Sequence, residues 1–392
     1  MIARILAAAT LALGSITTGA VPYVPTSDAV VVEHLPLKAN DPIARELRNL
    51  RQALAGDPQN PDLAVRLARR YFDLAMAEGD PRYVGYAEAA IRPWTGESEP
   101  PLQVVYMRAL VRQYRHEFAP AIADLDAVLK RDPAHSNALS WRMALHLVLG
   151  NYAEARRDCE RINAIGSRLS AIACVAVIDG INGKARAAYA ALSAALSREP
   201  LTDPDRRQWM LTRLAEMALR FGDDRLAEKH FREAMAASGP DGFVLAAYAD
   251  YLLDRKRPAE VIGLLKDWTR SDILLLRLAL AESALGAPAA REHVTALADR
   301  FAAAALHGDR LHLQEEARFE LSLRNEPATA LKLAAENWSI QREPRDARVL
   351  MEAAAAARRP EAAQPALDWL RATGYEDPRY RTLGNALAGP AK

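Results

Sequence analysis

Apolar and polar positions recur along this chain with a period of about 34 residues. The aromatic Phe118 returns as Tyr152, and the small Ala121 returns as Ala155, each 34 positions further on. The same spacing holds for two charged positions, Arg108 with Arg142 and Asp124 with Asp158. A recurrence of this length predicts an array of helix pairs, each packed on its neighbours.

Within each unit, small and bulky residues occupy fixed places. One unit contains Leu211, Leu214, Ala215, Ala218, Gly222, Ala227, Phe231 and Ala234. Another contains Val105, Ala109, Phe118, Ala121, Leu125, Val128 and Pro133. Small residues let two helices approach closely, and bulky residues fill the space around that contact. The pattern therefore predicts two packed helices per unit. The chain has no sustained alternation of β-branched residues, so no strand is predicted.

This arrangement resembles the tetratricopeptide repeat (TPR) pattern. The resemblance covers about residues 42–387, with two or three specific units and more degenerate units on both sides. It implies an all-α, superhelical solenoid of antiparallel helix pairs, about eight or nine units long. The alternatives are alanine-rich helix pairs of another solenoid type, an α/α toroid and an irregular helical domain.

The repeat domain is expected to occupy residues 41–392. A lone helix is predicted over residues 42–55, with Asp41 as its N-cap and Pro42 at its first position. A short capping helix is predicted over residues 378–387, where it would cover the last apolar face. Near residues 198–206 the interval between repeated alanines lengthens to 39, from Ala188 to Ala227. A longer loop and a hinge between two lobes are the two interpretations of that interval.

The N-terminus has the pattern of a secretory signal peptide. Arg4 gives a positive start, an apolar stretch follows to about Ile16, and small residues precede a cleavage point after Ala20. The apolar stretch is too short to span a bilayer, and no other segment predicts a transmembrane helix. We expect residues 1–20 to be a signal peptide, residues 21–40 a linker and the periplasm the destination. An uncleaved anchor is the alternative.

The charges exclude some classes of partner. The chain has 51 lysines and arginines against 50 aspartates and glutamates, and loss of Arg4 with the signal would make the mature chain neutral. A nucleic-acid binder would show an excess of basic residues on one face, and the sequence contains no such run. We therefore expect no nucleic-acid partner.

The two cysteines fall on neighbouring predicted helices. Cys159 precedes and Cys174 follows a turn near Gly166, at similar distances from it, so the two residues lie at the same level. An exported protein meets oxidising conditions, which favours a disulfide between them. The alternative is a pair of small, buried apolar residues.

The sequence contains no recognisable catalytic constellation. The metal-protease, P-loop, nucleophile-elbow and dinucleotide-binding motifs are absent. The nearest approach to a metal site is His307 with His312, followed by Glu315 and Glu316, but a spacing of five residues is poor for two ligands on one helix. We therefore expect no cofactor, no metal and no enzymatic activity.

The TPR resemblance implies that the first helix of each pair lines a concave groove. At the positions that commonly meet a ligand, the chain has Tyr106, Gln113, Asn137, Trp209, Glu216, Phe243, Asp250, Phe319, Arg345 and Arg348. The groove is mixed in character, with aromatic residues at intervals. Aromatic anchors surrounded by polar residues are typical of protein interfaces. The alternative for Tyr106 and Phe243 is packing between repeats.

These features predict an exported, non-enzymatic scaffold or adaptor that binds a protein or peptide along its groove. A role in an envelope assembly or secretion system is a special case of this hypothesis. The alternatives are a helical-superhelix enzyme of the envelope, such as a cell-wall lytic enzyme, and a small-molecule binder.

Overall fold

The computed structural model describes Ser27 and residues 41–388, except residues 167, 200, 240, 307 and 309. Within these residues the chain is helical and has no β-strand. It divides into two compact units, Met1–Asn49 and Leu50–Lys392. The described part of the first unit is essentially the start of one helix. The predicted signal peptide and linker lie outside the described residues, apart from Ser27.

Short turns join the successive helices. They are α1 Pro42–Gly56, α2 Pro61–Glu78, α3 Arg82–Thr95, α4 Leu102–Tyr114, α5 Phe118–Arg131, α6 Ser136–Val148, α7 Tyr152–Ala164, α8 Arg168–Ile181, α9 Ala185–Arg198, α10 Pro204–Arg220, α11 Asp224–Ala237, α12 Gly242–Asp254, α13 Pro258–Leu265, α14 Asp272–Leu285, α15 Ala290–Leu306, α16 Leu313–Ser322, α17 Pro327–Ile340, α18 Pro344–Ala356, α19 Gln364–Thr373 and α20 Pro378–Ala388, with a 3₁₀ turn at Pro360–Ala363.

Consecutive helices pack as pairs, from α2 with α3 to α18 with α19. In each pair we call the first helix A and the second helix B. The all-α, TPR-like array predicted from the sequence is confirmed, and the described chain contains nine such pairs. The lone helix and the capping helix expected at the two ends correspond to α1 and α20.

The repeated alanines lie where the two helices of a pair touch. Ala109 on α4 and Ala121 on α5 are buried, and the same is true of Ala215 on α10 and Ala227 on α11. A methyl group at these positions allows the helix backbones to approach, and larger side chains such as Leu125 close the space around them. The apolar positions of the repeat therefore form the contact between helices A and B.

The two charged positions of the repeat form an ion pair between the same two helices. Asp124 on α5 accepts hydrogen bonds from Arg108 on α4, at 3.0 Å from Nε and 2.7 Å from Nη2. In the next pair, Asp158 on α7 accepts from Arg142 on α6 through the same two nitrogen atoms. Both aspartate side chains are almost fully buried. Each arginine thus satisfies a carboxylate that would be costly to bury alone.

Helix α12 carries a two-carboxylate cluster that binds four arginines from later parts of the chain. Asp250 accepts from Arg277 on α14 and from Arg318 on α16, both at 2.6 Å. Asp254, one turn further on, accepts from Arg348 on α18 at 2.8 and 2.9 Å and from Arg379 on α20. Burial alone would raise the pKa of the Asp250 carboxyl, but Arg277 and Arg318 hold it well below its usual range. We call these six residues the α12 charge cluster.

The C-terminal part of the chain packs back on the middle pairs. The backbone N–H of Arg342 donates to the carbonyl of Val148 at 2.7 Å, and Trp369 Nε1 donates to the Tyr152 hydroxyl at 2.8 Å. Val177 on α8 belongs to the same apolar cluster as residues of α16 to α20, and Trp209 on α10 packs against that cluster. The C-terminal pairs therefore cover part of the helix-A side of α6, α8 and α10.

One close approach in this packing requires glycine. Gly183 has φ = +72°, and a Cβ atom there would lie 3.0 Å from the carbonyl oxygen of Gly374. Next to it, the backbone N–H of Ala185 donates to a carboxylate oxygen of Glu376 at 2.6 Å. Any side chain at residue 183 would push these backbones apart.

The long interval near residues 198–206 is the connection between α9 and α10. Helix α9 ends at Arg198, and Asp203 caps α10 by accepting from the backbone N–H groups of the two residues that follow Pro204. Helices α9 and α10 pack on each other across this connection, and both belong to the unit Leu50–Lys392. A hinge here stays a prediction.

Cys159 on α7 and Cys174 on α8 form a disulfide, with Cα atoms 5.6 Å apart. This separation is within the range that a disulfide requires. Among the described residues, no helix combines the length and the apolar character that crossing a bilayer would need.

We expect reduction of this disulfide to destabilise the protein. The bond closes a loop with a sequence separation of 15, for which the chain-entropy model gives roughly 3 kcal/mol. Urea unfolding with and without reductant measures the difference, and a Cys159→Ala, Cys174→Ala double variant should show no effect of reductant. Equal stability of the wild type in both conditions would contradict the prediction.

We expect Asp254→Asn to lower the free energy of unfolding by about 2–3 kcal/mol. That is below the 3–5 kcal/mol typical of a fully buried pair, because Arg348 and Arg379 keep partial contact with solvent. The control is Glu361→Ala, which removes an exposed partner of Arg359 and should leave the free energy of unfolding almost unchanged. Similar losses in the two variants would show that the α12 charge cluster has no special role.

Candidate functional site

Two of the predicted groove residues are not accessible to a ligand in this structure. Tyr106 is 5% exposed and packs against His135, with ring centroids 4.8 Å apart. Phe319 is 1% exposed and packs against Phe301. Their positions in the repeat frame predict ligand contacts, but neighbouring elements cover both side chains. For Tyr106 the alternative interpretation, packing between repeats, describes the structure.

Two further groove residues are already paired within the chain. Asp250 and Arg348 are both members of the α12 charge cluster. Each points from an A helix, as the TPR frame predicts, but towards other A helices of the same chain. Their charges are therefore used in holding α14, α16 and α18 against α12.

Three polar groove residues have different surroundings. Asn137 is exposed at the start of α6, and Gln113 is half-buried near the end of α4. Glu216 on α10 accepts from Arg213 at 2.8 Å and lies 3.7 Å from a guanidinium nitrogen of Arg220. Of the three, only Glu216 contacts the group of side chains described next, through Arg213.

Trp209 on α10 and Phe243 on α12 are brought together by an arginine that the repeat frame did not single out. The guanidinium carbon of Arg213 lies 5.3 Å from the Trp209 ring centroid and 4.6 Å from that of Phe243. A cation over an aromatic face is attracted by the ring quadrupole. Phe243 remains 36% exposed, so one side of this cation–π pair is open to a ligand.

Arg345 and Glu343, at the start of α18, extend this group of side chains. Arg345 donates to Glu343 at 2.7 Å, and the Arg345 side chain remains 49% exposed. Burial would raise the pKa of Glu343, but the positive charges of Arg345 and Arg213 keep it below its usual value. Glu343 is therefore an electrostatic neighbour of both Arg213 on α10 and Arg345 on α18.

His116, in the turn between α4 and α5, is close to the same charges. Burial lowers the pKa of its imidazole, and the negative charges of Glu315 and Glu343 partly oppose that shift. His312 and Arg345 act in the same direction as burial. His116 is therefore neutral at pH 7, with carboxylates and cations around it.

We use the name inner cleft for the side chains of Trp209, Arg213, Phe243, Glu343 and Arg345, which are linked by the contacts of Arg213 and the charge of Glu343. It offers two aromatic faces, two guanidinium groups and one carboxylate, which are groups suited to binding. The predicted His307 lies outside the described residues. Within the described ranges, no three histidine, cysteine, aspartate or glutamate side chains are grouped so that they could hold a metal ion.

A buried carboxyl lies behind the cleft. Asp346 accepts from the backbone N–H of Glu343 at 2.8 Å and from Asn337 Nδ2 at 2.9 Å. Burial, with a smaller contribution from the charge of Glu343, raises the pKa of Asp346 to about 8. Asp346 also closes a capping box with Glu343 at the start of α18, so its role is to fix the segment that carries Arg345.

The sequence did not predict a hydrogen-bonded chain of three side chains. The Tyr189 hydroxyl lies 2.8 Å from His230 Nε2, and His230 Nδ1 lies 2.9 Å from a carboxylate oxygen of Glu233. Burial raises the pKa of Tyr189 and lowers that of His230, so the arrangement does not activate the hydroxyl as a nucleophile. It joins α9 to α11 as a structural contact.

Arg213 and Glu343 also escaped the sequence analysis. Arg213 lies between the groove residues Trp209 and Glu216 on α10, and Glu343 precedes α18. The only sequence signal for Arg213 is its spacing of four residues from Trp209, which places both on one face of a helix. No sequence signal brings Glu343 next to α10.

No protein-family model matches the chain, and no curated protein is similar to it in sequence. Solved structures with a similar arrangement of helices include a tetratricopeptide repeat protein from Parabacteroides merdae, with 17% identity and a TM-score of 0.47 over 61% of this chain and 92% of that one. A Rap protein in complex with the competence and sporulation factor has 14% identity and a TM-score of 0.47 over 88% and 93%. PilW, a type IV pilus biogenesis factor, has 18% identity and a TM-score of 0.33 over 56% and 100%. These likenesses concern the arrangement of helices.

Proposed function

We propose that this protein is a non-enzymatic scaffold that holds a short segment of another polypeptide in its inner cleft. The observation that carries the proposal is the Arg213 guanidinium held between Trp209 and Phe243, with the Phe243 ring open on one side. Exposed aromatic residues beside arginines are the composition that protein interfaces favour.

The inner cleft suits a ligand that has both an apolar and an acidic group. An apolar side chain of the ligand can pack on the open part of the Phe243 ring. The half-exposed guanidinium of Arg345 makes one bond to Glu343, and its other N–H groups can donate to a carbonyl or carboxylate of the ligand. A peptide with an apolar residue next to an acidic residue would meet both requirements.

The packing of the C-terminal helices limits the length of the bound segment. Helices α16 to α20 already cover part of the helix-A side of the middle pairs, and Asp250 and Arg348 are paired there. The ligand is therefore a short segment and does not follow the whole series of A helices.

We further propose that the protein works after export, in the periplasm. The N-terminal pattern with cleavage after Ala20 supports this, and so does the Cys159–Cys174 disulfide, since such bonds persist in oxidising compartments. A part in an envelope assembly or secretion system would fit such a scaffold. The alternative is an envelope enzyme, which would be detected as release of fragments from purified cell wall.

We expect Phe243→Ala to weaken peptide binding about 30-fold, which corresponds to about 2 kcal/mol for loss of an aromatic anchor. The probe is the tightest peptide selected from a random display library on the purified mature protein, and calorimetry measures its affinity. The melting temperature should change little, because Phe243 is partly exposed.

The matched control is Tyr86→Ala, which removes another aromatic ring with 53% exposure on α3. Its peptide affinity should equal that of the wild type. Arg345→Ala should weaken binding of peptides that carry an acidic residue more than binding of neutral ones. Wild-type affinity in both the Phe243 and Arg345 variants would place the ligand outside the inner cleft.

A further inference from the structure

A recess of about 340 Å³ lies between α5 and α7, with α6 at its base. It is near the lower end of the range of small-molecule pockets, about 300–1,000 Å³. Its lining includes Asp126 on α5, His146 on α6, and Glu154 and Asp158 on α7. The recess involves none of the inner-cleft residues, so an inference about it is independent of the proposed function.

The preceding helix pair shows what is missing from this recess. There, Asp124 accepts two hydrogen bonds from Arg108 and a third from Arg112 Nη1 at 2.6 Å. The residue 34 positions after Arg112 is His146, so the third donor has no counterpart in the next pair. The shorter imidazole occupies the place where the preceding pair has a guanidinium.

The change leaves hydrogen-bond acceptors without donors. The Asp158 side chain is 2% exposed and accepts two hydrogen bonds from Arg142, whereas a carboxylate can accept about four. His146 Nδ1 is buried and has no hydrogen-bond partner. Burial lowers the pKa of His146, so the ring is neutral at pH 7, and we assign the tautomer with the proton on Nε2. In that tautomer Nδ1 is an acceptor, and His146 and Asp158 both line the recess.

The rim adds two further carboxylates. Asp126 is 55% exposed and binds Arg142 at 2.5 Å, and Glu154 is 42% exposed and lies 3.3 Å from Arg157. The lining contains three arginines and three acidic residues, so a charged ligand gains little from long-range attraction. Recognition must rest on hydrogen bonds and shape.

We propose that this recess binds the guanidinium group of an arginine, the group that Arg112 supplies in the preceding pair. The planar guanidinium donates in a fork that matches a carboxylate, and one of its N–H groups can also reach a neutral imidazole nitrogen. A lysine ammonium is a compact point charge and lacks this fork. The guanidinium can come from an arginine side chain of a partner polypeptide or from a free arginine derivative.

The test uses the full mature protein and three probes measured by calorimetry. These are N-acetyl-arginine amide, N-acetyl-lysine amide and a five-residue peptide with a central arginine between alanines. We expect saturable binding of the arginine probes and at least tenfold weaker binding of the lysine probe. Tighter binding of the peptide than of the arginine amide identifies a partner side chain as the source, and equal binding identifies a free arginine derivative.

Two substitutions exploit the repeat as its own control. His146→Arg fills the recess with the guanidinium of the preceding pair, so arginine binding should fall at least tenfold while the melting temperature stays equal or rises. Arg112→His removes the third donor to Asp124, but Arg92 and Pro120 stand where the recess has Asp126 and Glu154, 34 positions further on. This variant should therefore lose stability and keep a single arginine site. Tyr86→Ala lies outside both helix pairs and should bind as the wild type does.

The proposal would be overturned by lack of saturable arginine binding to the wild type, or by equal binding of the arginine and lysine probes. It would also be overturned if folded His146→Arg protein bound arginine with wild-type affinity. If His146→Arg does not fold, the arginine and lysine probes on the wild type decide, and equal binding of the two contradicts the proposal.

Discussion

Ion pairs of the Asp250 and Asp254 carboxylates hold the later helices against the helix-A side of this array. The two carboxylates lie one turn apart on α12 and together bind one arginine from each of α14, α16, α18 and α20. A partly buried carboxylate is costly without a cation, and four arginines without a carboxylate would repel one another. The ion pairs therefore connect α14, α16, α18 and α20 to one helix, and apolar contacts pack the C-terminal helices against α8 and α10.

This packing uses the surface that a helical-repeat protein commonly offers to a ligand. Asp250, Phe319 and Arg348 occupy ligand-facing positions, yet they contact other parts of the same chain. What remains accessible is the inner cleft, where Phe243 and Arg345 keep contact with solvent. The same physical properties, an aromatic face and a forked cation, serve packing in one place and recognition in the other. The difference between the two roles is whether another helix of the chain covers the side chain.

Departures from the repeat are the most informative positions in such a chain, because neighbouring units show what a position normally does. Arg112 and His146 hold equivalent places over equivalent aspartates, Asp124 and Asp158. One pair is closed by a third hydrogen bond and the other contains a recess. A comparison within one molecule thus separates what the fold requires from what is particular to one unit.

The sequence by itself predicted the helix pairs, about eight or nine of them, and the residues at the A–B contacts of the best-matching units. These contacts join residues about 16 positions apart, such as Arg108 and Asp124, and short turns bring such residues together whatever the rest of the chain does. The sequence also placed Trp209, Phe243 and Arg345 on A helices, and put Cys159 and Cys174 at one level. Only the tertiary structure decided which of the predicted groove residues stay accessible. Contacts such as Tyr152 with Trp369 span 217 positions, and they depend on small rotations that add up from pair to pair, which no local pattern specifies.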